Sequence, residues 1–585
     1  MRTLRQYQLS GSWPWLKQPG LTAVAIIALS LGAGANTVVS ILIAKNPPEM
    51  AQAIAQRLPL LAVMGKVVLF IACVSAALLL LARGATRKRD LATRVASGVG
   101  RGGSRAPLLI EGALVGLAGW GGGALLAQGA LYALLALSPP AWTQFNQIRL
   151  GASEIGSTLL ATVVVGLLLG LLLVWQASRI ERTPNDGAGA GRQMNRALNL
   201  ACGALVILAT ALALTLMTCG ALLAKSFAHW RMIDPGFIVD DRMIVATALR
   251  ADKYGSPEKR KVFFDQLLER LRELPGAQIT DFSSEAPLSD NNYFALLFIA
   301  DGWRPPGVRV GQVPVHHFVN PEYFKSAGIE ITQGRIFTAQ DTGATAPVVI
   351  INEAMARRYW PDANPVGRRL VAPDEKLTRE IVGVIRNVGA STHSAAQSEM
   401  FLPDSQASLP PRFISVRADA DLRSVASETH EAVKAIDRGI HVRDIPPRLP
   451  DLLAPERFKL MLFGAFGVLA LLLTPVGLYG LMSYIGAQRA RASGFQSLGE
   501  PPALDVRKLI MSQGLKLAMV GIIIGSGFSF AMSRVLGGML YGVSLTDPLA
   551  FALTAALLGA ALLLACYMQA RRATKVDPVA ALKRD

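Results

Sequence analysis

The side chains best able to do chemistry in this 585-residue chain are six histidines, four cysteines and several runs of arginine and lysine. The histidines (His229, His316, His317, His393, His430, His441) all fall between residues 226 and 456. His316 and His317 are adjacent, but neighbours on a strand point to opposite faces, so they make poor joint metal ligands. Cys73, Cys202, Cys219 and Cys566 lie in apolar stretches, without metal-ligand or disulfide-framework spacing. No Ser/His/Asp or Cys/His grouping defines a nucleophile. No GxxxxGK[ST] loop is present to cradle phosphates. The expectation is a chain that is not an enzyme, with no cofactor or metal; any ATP hydrolysis would belong to a separate subunit.

The basic residues are what remains. The formal net charge is +18, which on its own would raise the possibility of nucleic acid. Their distribution argues otherwise. Arg83, Arg87, Lys88, Arg89, Arg94, Arg101 and Arg105 sit together between two apolar stretches. Arg179, Arg182, Arg192 and Arg196 sit between another two, Arg489, Arg491, Arg507 and Lys508 between a third pair, and Arg571, Arg572, Lys575, Lys583 and Arg584 near the end. The short loops on the other side carry only Lys45, Arg57 and Arg149. This is the asymmetry of the positive-inside rule. It predicts both termini in the cytoplasm, the large polar segment outside, and no nucleic-acid partner.

The elements that must hold these charges are membrane spans. Hydrophobic residues make up 51% of the chain, and the mean hydropathy is +0.37. A bilayer core needs about 20 apolar residues per helix. Stretches near 21–45, 58–82, 107–137, 156–177, 197–224, 459–486, 514–536 and 549–570 meet that need, which predicts eight spans in two four-helix units. The Gly-rich middle of the third (Gly119, Gly121, Gly122, Gly123) would break or bend it. Pro475 would kink the sixth. Lys66, Lys225, Lys459, Lys516, Arg534 and Glu111 lie near span ends, where long side chains can snorkel. Pairs of glycines four apart (Gly112/Gly116, Gly119/Gly123, Gly166/Gly170, Gly521/Gly525) suit close helix packing within one subunit.

Residues 1–20, with Trp13 and Trp15, read as an interfacial segment in contact with membrane lipids. Residues 21–182 form a first four-span unit, 183–196 a Gly/Pro/Asn-rich linker, and 197–225 the fifth span. Residues 226–456 form an extracytoplasmic domain, and 457–585 hold three further spans and a tail. The outer domain reads as α+β. A strand at 242–248, a helix at 257–274 with Val262, Phe263, Leu267, Leu268 and Leu271 on one face, and a strand at 277–283 make one βαβ unit. Segments 412–417, 420–438 and 440–445 make another. The two suggest a split βαβ subdomain with an inserted mixed subdomain between them. Within the insert, Val348–Ile351 and Glu380–Val384 are strands, and Asn352 caps a short helix reaching Trp360.

Several long runs resemble the MacB/FtsX family of ATP-binding-cassette transporter permeases, most closely the subgroup with two fused permease units. They are "NPEYFKSAGIEITQGRIFTAQD" at 320–341, "VVIINEAMARRYWPDANPVGRRL" at 348–370, "VGLYGLMSY" at 476–484 and "ARRATKVDPVAAL" at 570–582. "PGLTAVAIIALSLGAGANTVVS" at 19–40 and "LLARGATRKRDLATRVASGVGRG" at 80–102 resemble the family's first two spans and its cytoplasmic coupling segment. Two departures stand out. Residues 46–57 leave no room for an outer domain in the first unit. The second coupling segment, 488–508, carries Ala492 where the first has Asp90, Gln496 where the first has Arg94, and the helix-interrupting Pro501 and Pro502.

The resemblance implies a permease subunit in a bacterial inner (cytoplasmic) membrane. It would pass ATPase-driven motion to its outer domain, for efflux or export of a periplasmic or outer-leaflet substrate. The implied partners are a cytoplasmic ATP-binding-cassette ATPase and a periplasmic adaptor or lipoprotein, with the chain acting as a homodimer or as a pseudo-dimeric monomer. The implied ATPase-coupling residues are Arg87, Lys88, Arg89, Asp90 and Arg94, with Arg489 and Arg491 in the weakened copy. Two other readings stay open here: an FtsX-like signalling scaffold acting on a periplasmic partner, and a degenerate paralogue that no longer couples.

Overall fold

The computed structural model describes residues 19–44, 58–86, 101–137, 152–182, 188–230, 242–248, 253–254, 256–273, 277–283, 299–300, 315–371, 378–387, 398–406, 413–418, 422–445, 454–494, 503–537, 540 and 543–574. The interfacial segment expected within residues 1–18 lies outside them.

Eight long helices make the membrane part. The first unit holds α1 (Pro19–Ala44), α2 (Leu58–Thr86), α3 (Arg101–Leu137) and α4 (Ala152–Arg182). The second holds α5 (Ala188–Trp230) and, beyond the outer domain, three more: Ala454–Gly494, Ala503–Val535 and Pro548–Thr574. Among the described residues, seven of these are long and apolar enough to cross a bilayer, and α4 contributes the shorter apolar stretch Thr158–Leu171. The chain is a polytopic helical membrane protein with one extracytoplasmic domain.

Two expectations change. The third span is neither broken nor bent out of the helix: α3 is continuous over 37 residues. Its glycines are where α1 comes closest. A Cβ on Gly119 would lie 2.8 Å from Cβ of Leu29, and one on Gly123 would lie 2.8 Å from Cβ of Ala33. Loss of the side chain is used for close approach, and the helix keeps its own backbone bonds. The stretch expected as a linker is also mostly helical, because α5 runs back to Ala188.

The outer domain lies between α5 and the helix that starts at Ala454. Its framework is β1 (Arg242–Ala248), α6 (Pro257–Arg272) and β2 (Ala277–Ser283), followed after the insert by β10 (Phe413–Ala418), α9 (Leu422–Ile436) and β11 (His441–Ile445). The insert comprises β3 (Ile299–Ala300), β4 (Val315–Val319), α7 (Tyr323–Ala327), β5 (Ile331–Gly334), β6 (Val348–Asn352), α8 (Glu353–Tyr359), β7 (Arg369–Val371), β8 (Thr378–Ile385) and β9 (Glu399–Pro403). The three remaining membrane helices are α10 (Ala454–Gly494), α11 (Ala503–Val535) and α12 (Pro548–Thr574).

The strand order is β11-β1-β10-β2-β4-β9-β6-β8-β7-β3, with β5 on β8. Neighbours among the first four strands are antiparallel, so β1 runs parallel to β2 and β10 to β11, as two interleaved βαβ units require. Among the described residues, the insert's strands join this framework through the register pair Ser283 with Val319.

Local choices agree with this layout. Ser256 caps α6, accepting from the Lys259 amide at 3.4 Å, with Pro257 in the first turn. Phe263, Phe264, Leu267 and Leu271 form its buried face, while Val262 is 54% exposed. The 100° step of a helix therefore puts Phe264 where Val262 was expected. Asn352 caps α8 by accepting from the Met355 amide at 2.9 Å, and its oxygen also accepts from the Glu399 amide on β9 at 3.1 Å. Strand β6 is buried along its whole length. Val349 and Ile351 pack with Met355 and Trp360 on one side, and Val348 and Ile350 with Phe324, Phe337 and Phe401 on the other. Gly334, at φ +78°, and Gly383 let β5 and β8 close on each other where a side chain would strike backbone.

Candidate functional site

The two units are built alike. In the first, α1 packs on α2 and α3, and α3 packs on α4; in the second, α5 packs on α10 and α11, and α11 packs on α12. The units meet chiefly where α2 lies along α10. The register that pairs Asp90 with Ala492 and Arg94 with Gln496 also pairs Ser75 with Gly477 and Leu78 with Gly480. These corresponding positions face each other. A Cβ on Gly477 would lie 2.9 Å from Oγ of Ser75, and one on Gly480 would lie 2.9 Å from the Leu78 and Leu79 backbone. Contact between equivalent residues is the signature of a two-fold relation, here between halves of one chain.

The Ser75 hydroxyl donates to the Leu473 carbonyl at 2.8 Å, so α2 supplies a hydrogen bond to the turn of α10 that leads into Pro475. Proline disturbs the backbone bonding of that turn, yet α10 remains one helix. Both α2 and α10 run from the side of the outer domain toward the coupling segments, in parallel. Their adjacency therefore joins the two places where coupling is expected.

At the coupling-segment end of the first unit lies a buried ionic cluster. Nη1 of Arg83 on α2 is 2.5 Å from Oε1 of Glu111 on α3 and 2.5 Å from Oγ1 of Thr22 on α1. The Arg83 and Glu111 side chains are 2% and 8% exposed. A paired charge in such a setting ties three helices, whereas a lone one would cost several kcal/mol. At the corresponding places the second unit has Ile485, which is buried, and Gln513. At that end the Asn199 amide donates to Gln488 at 3.4 Å, and Arg572 on α12 donates to the Tyr479 hydroxyl on α10 at 2.8 Å.

The second unit has its ion pair at the other end. Lys225, near the end of α5 as it enters the outer domain, pairs with Asp547. Asp547 also caps α12, accepting from the Leu549 amide at 3.1 Å. About two turns deeper, Thr218 on α5 and Thr554 on α12 share a hydrogen bond of 3.1 Å.

The buried pair corrects the expectation that Glu111 simply snorkels and that Arg83 serves only as a topology signal, while Lys225 is half exposed and also pairs with Asp547. Lys459 is also buried, whereas Lys66, Lys516 and Arg534 are exposed as snorkelling requires. The signal available in the sequence was opposite charge at matching depth on neighbouring helices. Of the expected coupling residues, Arg87, Lys88, Arg89, Asp90 and Arg94 lie outside the described residues. Arg489 and Arg491 fall in the last turns of α10. The glycine pairs are internal: Gly112 and Gly116 meet Gly166 and Gly170, and Gly521 and Gly525 meet Thr210 and Ala211 on α5.

Among its described residues, the outer domain gathers no set of metal ligands. His316 is buried, and His317 stacks on Phe401 with ring centroids 4.7 Å apart. Burial, with the neighbouring His316, pulls the His317 pKa down to about 4, so it is neutral at pH 7. Among the described residues no three His, Cys, Asp or Glu side chains converge as metal ligands. The run 334–341 instead forms a structural clip. Arg335 donates twice to Asp341, at 2.8 and 3.0 Å, and the Thr338 amide donates to it at 2.7 Å. The Arg335 hydrogen bonds hold the Asp341 carboxyl below its ordinary range.

The described residues thus form two paired helical units and an outer domain entered from α5 and left into α10. The MacB-like periplasmic core domain matches residues 207–433, and the FtsX-like permease C-terminal domain matches residues 62–185, across α2, the first coupling segment, α3 and α4. The chain thus carries a MacB-like and an FtsX-like domain, as permeases of the MacB/FtsX type do, and is a multi-pass protein of the bacterial inner membrane.

It is similar to the pyoverdine export ATP-binding/permease protein PvdT of Pseudomonas aeruginosa, 26% identical over 47% of this chain and 43% of that protein. It is similar also to the macrolide export ATP-binding/permease protein MacB of Marinobacter nauticus, 25% identical over 43% of this chain and 40% of the relative. The chain thus spans under half the length of these relatives. The periplasmic region of MacB from Actinobacillus actinomycetemcomitans aligns at 15% identity and a TM-score of 0.25, over 35% of this chain and 89% of that one.

Proposed function

We propose that this chain is the permease subunit of an export system, driven by an ATP-binding-cassette ATPase held on a separate polypeptide. ATPase closure shifts the coupling segment at 84–105, with a weaker contact at 488–508. The motion enters α2, crosses to α10, and reaches the outer domain at 226–456. That domain then acts on a periplasmic or outer-leaflet substrate, with a periplasmic adaptor or lipoprotein as further partner. The first unit spans 21–182, and 197–225 with 457–585 make the second; both termini are cytoplasmic. One chain supplies both units as a pseudo-dimer.

The observation that carries this reading is the α2–α10 seam. It links the helix that leads into the intact coupling segment directly to the helix that leaves the outer domain. The relatives are named for pyoverdine and macrolide export, which favours export over a signalling scaffold. Their names also join ATP-binding and permease functions in one protein, whereas this sequence has no phosphate-cradling loop.

The test is co-expression of the tagged chain with each candidate ATP-binding-cassette ATPase of its organism, followed by reconstitution in nanodiscs. One ATPase should co-purify, and its hydrolysis rate should change in the complex. If none associates and no hydrolysis rate changes, the reading fails.

A further inference from the structure

We propose that the two halves divide the work: the first takes up motion and the second delivers it, each tied by one ion pair at its working end. This deepens the reading of the chain as an ATPase-coupled permease and rests on it.

The Arg83 and Glu111 side chains are both buried, and in the other pair Asp547 is buried while Lys225 is half exposed. A charge pair between packed helices is costly to desolvate, and it fixes relative position more than it adds stability. Arg83–Glu111, with Thr22, fixes α1, α2 and α3 together at the end next to the coupling segment that keeps Asp90 and Arg94. A push on that segment therefore moves three helices as one body. The second half has Ile485 and Gln513 at those places, and its coupling segment has Ala492 and Gln496. The counterparts of Arg83 and Glu111 and the acid–base pattern of the coupling segment are thus replaced in the same half.

The second pair lies at the opposite end. The half that carries the outer domain ties α5 to α12 through Lys225 and Asp547, just before α5 enters that domain, and Thr218–Thr554 supports the same contact. Between the ends, Ser75 bonds to Leu473, and Leu78 packs against Gly480. Input is stiffened in one half, output in the other, and the seam lies between them. Arg83, Glu111, Lys225 and Asp547 are positioning residues in this scheme.

Hydrogen exchange by mass spectrometry on the full chain in nanodiscs, without ATPase, tests it. In the wild type, the coupling-end turns of α2 and α3 should exchange about tenfold or more slowly than those of α10 and α11. The double variant Arg83→Met/Glu111→Met, which leaves no stranded charge, should speed exchange there about tenfold, and also in α10 across the seam. Lys225→Met/Asp547→Asn should instead speed the last turns of α5, the first turns of α12, and β1. Equal wild-type protection of the two halves overturns the proposal. So does a first-half variant whose effect stops at α1–α3, or two variants that disturb both ends alike. A variant that fails to insert leaves the wild-type comparison to decide. Because no ATPase is present, failure here is distinct from failure of an ATPase to co-purify.

Discussion

Arg83 and Glu111 lie on adjacent helices, 2.5 Å apart, in a part of the membrane bundle that solvent barely reaches. Removing one partner strands the other. Arg83→Met is expected to destabilise the bundle by about 3–5 kcal/mol, and Arg83→Met/Glu111→Met by much less. Equilibrium unfolding in mixed micelles checks this. Additive effects of the single substitutions would show that the two residues do not act as a pair.

The seam makes a separate prediction. A side chain at Gly480 meets Leu78 and Leu79 backbone, which cannot turn away, while Gly464 on the same helix has nothing within 4 Å. Gly480→Ala should cost about 1–3 kcal/mol by forcing α2 from α10. Gly464→Ala should be neutral or slightly stabilising. Thermal unfolding of the two variants in nanodiscs gives the comparison, and equal losses would mean that α10 tolerates no methyl at any position.

His317 gives the outer domain a pH dependence. Its folded pKa, about 4, lies below the ordinary 6.5, so between these values the unfolded chain binds a proton that the folded domain does not. Stability from this group is full above pH 6.5 and falls as pH drops toward 4. The loss is on the order of 1–3 kcal/mol, nearer the low end because 19% of the side chain reaches solvent. Asp404 works in the opposite sense: burial pushes its carboxyl up to about 6, so its contribution declines as pH rises from 3.8 to 6. His317→Phe should flatten the acid side of the profile, read by tryptophan fluorescence, and Asp404→Asn should flatten the other component.

Charge reversal at Asp90 and Arg94 should uncouple ATP hydrolysis without preventing insertion, because enough basic residues remain to hold the loop inside. Reversal at Arg489 and Arg491 should do less. Each contact is worth about 1–3 kcal/mol if buried at an ATPase surface, and near zero if it faces headgroups. ATPase stimulation in nanodiscs separates the cases, and equal defects would contradict an asymmetric interface.

Reporter fusions after residues 90, 188, 495 and 580 should give cytoplasmic signals, and fusions near 145 and 300 should give external ones. An external signal at 188 would break the eight-span topology.

Much of this architecture was legible from periodicity. The spans followed from runs of about 20 apolar residues. Ser256 lies just before α6, and Asn352, read from the sequence as a cap, lies just before α8. What stayed hidden depends on a third dimension. Glu111 and Lys225 near span ends read as snorkelling because hydropathy records depth but not which neighbour stands at that depth. The glycines of α3 read as a break because propensity describes an isolated helix, whereas α1 uses the space they leave. Val262 and Phe264 exchanged places because a helical face is uncertain by a residue until its partner is seen. The coupling candidates Arg87 to Arg94 remain expectations from the sequence, since they lie outside the described residues.

The pairing of Leu78 with Gly480 also bears on how such a chain can evolve. Two identical subunits meeting on a dyad must place the same residue on both sides, so a leucine would oppose a leucine and a glycine a glycine. Fusion into one gene removes that constraint. Each side of the axis then mutates alone, and a protrusion on one helix can be matched by a recess on the other. Once that fit exists, separation into free half-proteins is penalised, because each half would have to pair with a copy of itself through a surface no longer self-complementary. The fused chain can accumulate further differences between its halves, but it has no simple route back to a symmetric dimer.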